Sequence, residues 1–184
     1  MISGEQWEKL MDPKGKALDP LCFSFDVSPD RAFATIAAAG AREDGFKQVE
    51  TAMTGPGTGW LVPQIIRMHK QHNPVAVVCD GAGPAGSLIA ELEQAGVPVT
   101  VVSAREHGQA CGMFYDHVVQ EQLRHLGTPE LRDALRAATR RQLGDAWAWD
   151  RKKSSSDISP LVAATLALWG HLTNPAAEPW MGAW

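Results

Sequence analysis

The chain has 184 residues, of which 45% are hydrophobic and 21% charged, so it is long enough for one domain with a substantial core and short for two. No apolar run approaches the ~20 residues needed to span a bilayer, and the N-terminus lacks a signal-peptide core, so we expect a cytosolic protein. The net charge of −4 conceals a basic segment, because residues 124–153 carry eight of the 17 Lys and Arg against four acidic residues. That excess is typical of a phosphate-binding edge, although a solvated helix face has the same composition.

The first third of the chain predicts a polar lead-in followed by an antiparallel sheet. Residues 1–20 contain prolines and glycines among polar residues, and we interpret them as a linker or tail. Strands are then predicted over residues 21–26, 31–39 and 46–53, because apolar residues dominate these runs and turn residues separate them. The three strands should pair in antiparallel order, with Asp26 at the end of the first.

The middle of the chain predicts two parallel strands joined by a helix. A helix over residues 61–72 comes first, and the apolar run VAVVCD at 75–80 follows as a strand. Pro84 opens the next helix, which Gly96 ends, and residues 97–102 form the second strand. A strand, a helix of about 12 residues and another strand make a right-handed crossover, so these two strands should be parallel.

The last third of the chain is predicted to be mostly helical. We expect helices over residues 108–126 and 129–143, a strand over 145–151, and an almost entirely apolar helix over 158–169. Residues 171–184 are interpreted as a C-terminal tail. The order of elements therefore predicts an α/β fold in which helices cover both faces of a mixed sheet.

The segment VAVVCDGAGPAG contains the spacing G-x-G-x-x-G in the loop from Gly81 to Gly86. Such turns bind the pyrophosphate of a dinucleotide, so a dinucleotide-binding α/β module is the alternative function. However, an acidic residue is expected about 20 residues later, where this chain has Ser103. Asp80 would also face the phosphates and repel them. We therefore favour glycines that let the chain turn sharply and keep the space around Asp80 open.

Three aspartates stand where buried segments end or begin. Asp26 and Asp80 follow apolar strands, and if the first strand is central these strand ends lie about 5 Å apart. Asp157 stands where a serine run meets the apolar helix. Taken singly, each could instead serve a turn, a loop or a helix start. Together they predict a site for Mg²⁺ or Mn²⁺, because these ions prefer oxygen ligands and pairs of them hydrolyse phosphodiesters.

Four segments carry a resemblance to a known family. FSFDVSPD, VVCDGAGPAG, GDAWAWDRK and SSSDISPLVAATLALWG resemble the C-terminal nuclease domain of phage terminase large subunits. The resemblance covers residues 21–170 and implies a ribonuclease-H-like α/β fold, in which three antiparallel strands plus parallel strands form a mixed sheet flanked by helices. It also implies that Asp26, Asp80 and Asp157 form the catalytic, metal-binding triad, with Asp30 as an accessory acid near the site.

The resemblance further implies a metal-dependent DNA endonuclease with two Mg²⁺ or Mn²⁺ ions, which cuts concatemeric viral DNA during genome packaging in the host cytoplasm. The implied partners are double-stranded DNA, the terminase ATPase domain, the portal and the small terminase subunit, without any membrane. The basic residues expected to hold the DNA backbone are Arg140, Arg141, Arg151, Lys152 and Lys153.

One part of the family pattern is missing from the sequence. GPGTGW at residues 55–60 lacks the lysine and the spacing of an ATP-binding loop, so ATP hydrolysis does not carry over. A third interpretation is therefore an interaction domain whose site awaits its partners.

Overall fold

A computed structural model describes residues 1–175. Its strands are β1 (Leu18–Val27), β2 (Phe33–Ala41), β3 (Lys47–Pro56), β4 (Ala76–Asp80), β5 (Thr100–Val102), β6 (Leu123–His125), β7 (Arg140–Leu143) and β8 (Ala146–Trp149). Its helices are α1 (Gly4–Glu8), α2 (Leu61–His72), α3 (Ile89–Gln94), α4 (Ala104–Val119), α5 (Pro129–Ala137) and α6 (Ser159–Thr173), with a 3₁₀ helix over Pro84–Leu88.

The main sheet has six strands in the order β5-β4-β1-β2-β3-β6. The antiparallel pairing of β1, β2 and β3 confirms the prediction from the sequence. The strand β4 pairs in parallel with β1, with Phe23 opposite Val77, and β5 pairs in parallel with β4, so the predicted parallel strands are also confirmed. The helix predicted between them is instead the 3₁₀ helix followed by the short α3. Because β1 and β4 run side by side in one direction, Asp26 and Asp80 stand at the same edge of the sheet.

The apolar helix α6 lies on the sheet, and all of its residues from Ser159 to Gly170 are buried. Gly170 permits this close approach, since a Cβ there would meet Cys22 Sγ at 2.5 Å and Val78 Cγ2 at 2.6 Å. The helices α4 and α5 pack beside α6, and α2 and α3 cover the opposite face. Among the described residues, no helix is both long and apolar enough to cross a bilayer.

The predicted helix over residues 108–126 is wrong at both ends. The helix α4 begins earlier, because Ser103 is its N-cap and forms a capping box with Glu106 in the first turn. It ends at Val119, and residues 123–125 pair with β3 as β6. This three-residue strand depends on its partner in the sheet, which a local sequence pattern does not reveal.

The predicted helix over residues 129–143 is too long and ends at Ala137. Residues 140–143 instead form β7, which pairs with β8 in an antiparallel hairpin. Gly144 adopts the positive φ of 57° that suits the turn between them. The predicted strand over 145–151 is therefore the second arm of this hairpin.

The segment 1–20, expected to be a linker or tail, packs against the rest of the chain. Trp7 and Leu10 are each 1% exposed and belong to the core. The Trp7 ring stacks on His125 with ring centroids 3.8 Å apart, and His125 Nε2 donates to the Trp7 carbonyl at 2.9 Å. Burial lowers the pKa of His125, despite the opposing effect of this hydrogen bond, and so favours the neutral ring.

The division of the chain into 1–20, 21–170 and 171–184 stays a prediction. The structure begins β1 at Leu18 and continues α6 to Thr173, so regular elements cross both predicted boundaries. Residues 176–184 of the predicted tail lie outside the described residues.

Candidate active site

Asp26 and Asp80 lie at the edge of the sheet where β1 and β4 end. Asp26 is the penultimate residue of β1, and Asp80 is the last residue of β4. Asp26 is fully buried and Asp80 is 4% exposed. Two anionic side chains so far from water need a positive partner nearby.

Arg151, in the loop after β8, is that positive partner. Its Nε donates to Asp26 Oδ2 at 3.1 Å, and its Nη2 donates to Asp26 Oδ1 at 2.9 Å. The same Nη2 donates to Asp80 Oδ2 at 3.0 Å. A planar guanidinium matches both oxygens of one carboxylate at once, which an ammonium group does not. We expected Arg151 to hold the DNA backbone, and the structure places its guanidinium between the two aspartates.

These contacts and the burial of the three groups shift their pKa values. Complete burial raises the pKa of Asp26, against the lowering effect of Arg151. Burial also acts to raise the pKa of Asp80, but the hydrogen bond from His107 and the charge of Arg151 hold that pKa well below its ordinary value. The pKa of Arg151 is raised, because its attraction to both carboxylates exceeds the lowering effect of burial. The guanidinium therefore stays charged.

His107 is a residue of this site that the sequence analysis missed. Its Nδ1 lies 3.1 Å from Asp80 Oδ2, and its side chain is 1% exposed. Because a carboxylate only accepts hydrogen bonds, Nδ1 carries the proton. The capping box at residues 103–106 was a usable signal, since it starts α4 directly after β5, which pairs with β4 beside Asp80.

Asp157 lines the same cleft as Asp26. The cleft has a volume of about 410 Å³, and its walls include Asp26, Asp30, Phe33, Arg151, Asp157 and Ser159. The Asp157 carboxylate accepts hydrogen bonds from the amide and the hydroxyl of Ser159, both at 2.9 Å. Within residues 1–175, no three His, Cys, Asp or Glu side chains stand close enough together to hold an ion. The structure thus joins Asp26 and Asp80 through Arg151, and Asp157 lines the cleft that Asp26 also lines.

The donor chemistry of the cleft suits a hard divalent cation. The three predicted ligands are all carboxylates, and Asp26 and Asp80 already surround one positive group. The Arg151 guanidinium takes the place of a bound cation, because it donates hydrogen bonds to the carboxylate oxygens that would coordinate an ion. In donor type these carboxylates suit Mg²⁺ or Mn²⁺, but within residues 1–175 their present spacing holds no ion. The Arg151 guanidinium would have to move aside and the carboxylates draw closer for one to bind.

A second groove of about 370 Å³ lies beside the cleft and shares Arg151 with it. Its basic residues are Arg141, Arg151, Lys152 and Lys153. The amides of Lys152 and Lys153 donate to Asp150 Oδ1 at 3.0 and 3.1 Å, which fixes the backbone that carries both lysines. Arg140, also expected to hold DNA, lies with its guanidinium 3.9 Å from the centroid of a Trp147 ring.

The glycine loop after β4 uses its amides within the loop. The amides of Ala82 and Gly83 donate to Asp80 Oδ1 and to the Asp80 carbonyl, both at 3.1 Å. The Gly86 amide donates to the Gly83 carbonyl at 3.1 Å, and a Cβ on Gly86 would collide with the Gly81 carbonyl oxygen. Amides engaged in this way do not form a cradle for phosphates. This arrangement favours the carboxylate interpretation over dinucleotide binding.

Comparison with known proteins gives matches in structure alone. No family model matches the chain, and neither does any curated protein sequence. The large terminase of bacteriophage HK97 superimposes with a TM-score of 0.74 and 15% identity, over 91% of this chain and 43% of that one. The chain has the fold of the phage large-terminase nuclease domain. It spans less than half the length of the HK97 protein.

Two isolated nuclease domains give similar results. The large terminase nuclease from thermophilic phage G20c with bound magnesium has a TM-score of 0.64 at 13% identity, over 90% of this chain and 95% of that one. The nuclease domain of the Sf6 large terminase subunit with manganese has a TM-score of 0.57 at 14% identity, over 92% and 98% of the two chains. These likenesses confirm the predicted ribonuclease-H-like mixed sheet with flanking helices.

Proposed function

We propose that this chain is a metal-dependent DNA endonuclease domain of a phage terminase large subunit, which cuts concatemeric viral DNA during genome packaging. One observation carries the proposal. On this fold, Asp26 and Asp80 stand at the ends of adjacent parallel strands and share one positive group, and Asp157 lines the cleft that Asp26 also lines. The magnesium- and manganese-bound structures of the same fold support the use of a divalent cation.

The cation ligands in this proposal are Asp26, Asp80 and Asp157. A pair of Mg²⁺ or Mn²⁺ ions, when bound, supplies activation of a water molecule and stabilisation of the leaving oxygen of a phosphodiester. The chain's own contribution is to hold its carboxylates in place. His107 and the Ala82 amide hold the Asp80 carboxylate, and the Ser159 amide and hydroxyl hold that of Asp157.

The groove of Arg141, Lys152 and Lys153 would hold the DNA backbone next to the cleft. Its side chains are exposed and basic, and such residues bind phosphates without reading bases. Arg151 borders both the groove and the cleft, so a phosphate arriving at the groove offers its guanidinium another anionic partner. The further partners in this proposal are the terminase ATPase domain, the portal and the small terminase subunit, in the host cytoplasm.

Removing both lysines of the groove should weaken DNA binding in a salt-dependent way. We expect the double variant Lys152→Gln/Lys153→Gln to reduce the slope of log affinity against log salt by about 2, because each phosphate contact contributes about 0.9. Fluorescence anisotropy with a labelled duplex in EDTA measures this slope without cleavage. The double variant Lys9→Gln/Lys70→Gln, with exposed lysines outside the cleft and the groove, is the control and should keep the wild-type slope. Equal slopes for both double variants would remove the groove from DNA binding.

Plasmid nicking tests the proposal as a whole. The wild-type protein should convert supercoiled plasmid to open circles in Mg²⁺ or Mn²⁺, and EDTA should stop the reaction because the carboxylates then have no divalent partner. The variant Asp80→Ala should not nick. Equal nicking by both proteins would remove Asp80 from the mechanism. Binding of Mn²⁺ without nicking would instead favour a domain whose cutting awaits its partners.

A further inference from the structure

A chain of three hydroxyl groups ends on the Asp157 carboxylate. The Ser159 hydroxyl donates to Asp157 Oδ2 at 2.9 Å. Ser159 Oγ lies 3.2 Å from Thr35 Oγ1, and Thr35 Oγ1 lies 3.0 Å from Thr54 Oγ1. Thr35 is fully buried and Ser159 is 1% exposed, so water does not compete for the two inner hydroxyls. The hydroxyl chain therefore crosses the interior from β3 through β2 to the start of α6.

The carboxylate fixes the direction of every hydrogen bond in this hydroxyl chain. A carboxylate oxygen only accepts, so the single Ser159 hydroxyl proton is committed to Asp157. Ser159 Oγ must then accept from the Thr35 hydroxyl, and Thr35 Oγ1 must accept from the Thr54 hydroxyl. All three protons point toward the negative charge, and hydrogen bonds aligned in this way polarise and strengthen one another.

The hydroxyl chain also connects Asp157 to the strands that place Asp26. Thr35 is the β2 residue opposite Asp26 in the pairing of β1 with β2, and it is opposite Thr54 in the pairing of β2 with β3. The Asp157 carboxylate is thereby tied to the sheet position next to Asp26, although 131 residues separate the two aspartates in sequence. A ligand held by packed strands keeps its orientation better than one held by a loop alone.

We infer that Thr35, together with Ser159 and Thr54, is a positioning residue that orients the Asp157 carboxylate toward a divalent cation in the cleft. This inference rests on the proposed function, because it assigns Asp157 to a bound ion. It makes the conformation of a ligand in the loop before α6 depend on a hydroxyl in the middle of the sheet. Thr35 itself does not contact the ion.

Calorimetric titration with Mn²⁺ in the absence of DNA tests the inference. The variant Thr35→Val removes the hydroxyl at nearly constant volume, and we expect it to weaken Mn²⁺ binding by about tenfold, as is common when a partner of a metal ligand is lost. The variant Thr35→Ser keeps a hydroxyl and should bind Mn²⁺ nearly as the wild type does. Rescue by serine separates the hydroxyl from the methyl group, which contributes only packing.

Thr51→Val is the matched control. Thr51 Oγ1 lies 2.9 Å from Thr128 Oγ1, so this substitution also breaks a hydrogen bond between two threonine hydroxyls, but outside the cleft. It should leave Mn²⁺ binding unchanged. If Thr35→Val fails to fold by circular dichroism, Thr54→Val, at the half-buried far end of the hydroxyl chain, should weaken binding in the same direction.

The outcomes separate the inference from the proposed function. Wild-type binding of Mn²⁺ together with weaker binding by Thr35→Val and rescue by Thr35→Ser supports the inference. Equal Mn²⁺ affinity in the wild type, Thr35→Val and Thr54→Val overturns the inference and leaves the proposed nuclease standing. A wild-type protein that neither binds Mn²⁺ nor nicks plasmid overturns both.

Discussion

Substitution of Asp26 by asparagine is expected to slow plasmid nicking in Mn²⁺ on the order of 1,000-fold. Loss of a cation-binding carboxylate costs several kcal/mol in the transition state, and each ~1.4 kcal/mol changes the rate tenfold. Asp26 is the most demanding position for this test, because it is fully buried and accepts two hydrogen bonds from Arg151. Asparagine keeps the size of the side chain and removes its charge. Time courses of open-circle formation measure the effect.

The control for this prediction is Asp145→Asn. Asp145 is an exposed aspartate in the turn of the β7–β8 hairpin, so its charge should not affect nicking. Circular dichroism establishes that Asp26→Asn is folded before rates are compared. Nicking by folded Asp26→Asn within threefold of the wild-type rate would contradict the assignment of Asp26 as a cation ligand.

Substitution of Arg151 by glutamine should destabilise the protein by about 3–5 kcal/mol in EDTA, because it leaves two buried carboxylates without their positive partner. The Arg151 side chain is only 11% exposed, so solvent screens its ion pairs little and their full stabilising effect is lost. Mn²⁺ should restore more stability to Arg151→Gln than it adds to the wild type, because the ion no longer competes with the guanidinium. Urea unfolding in EDTA and in Mn²⁺ gives the four free energies of unfolding that are needed.

Arg141→Gln provides the comparison for this second prediction. Arg141 is exposed on the β7–β8 hairpin, so its loss should change the free energy of unfolding by less than about 0.5 kcal/mol in either buffer. If Arg151→Gln is as stable as the wild type in EDTA, the buried ion pairs do not support the fold. If Mn²⁺ raised the free energy of unfolding of the wild type and of Arg151→Gln equally, the ion and the guanidinium would not compete for the same carboxylate oxygens.

Local patterns and strand geometry determine the elements that carry Asp26 and Asp80, so these elements could be predicted from the sequence. The apolar runs that end at Asp26 and Asp80 predicted their strands, and the crossover rule predicted that the strands are parallel. The helix over residues 61–72 was predicted with its observed bounds, and its buried residues Leu61, Val62 and Ile65 have the spacing of one helix face. These elements are enough to bring two aspartates to one edge of the sheet.

Other features depend on contacts between distant parts of the chain and have weak local signals. Residues 140–143 are basic and could extend a helix, but pairing with β8 makes them a strand. Trp7 lies in a mostly polar segment, yet it stacks on a ring 118 residues away. The Arg151 guanidinium meets Asp26 across 125 residues, and no spacing rule relates the two. Such pairs emerge only when tertiary packing is known.

The close packing of Gly170 on the sheet makes the candidate active site sensitive to a substitution far from its carboxylates. Any side chain there would be driven into Cys22 and Val78, so the C-terminal part of α6 would have to lift from the sheet. A tightly packed helix moves as a rigid unit, and α6 begins about 16 Å from Gly170, next to Asp157. A substitution at Gly170 should therefore displace the start of α6 and Asp157, and so reduce activity although no acidic residue is changed.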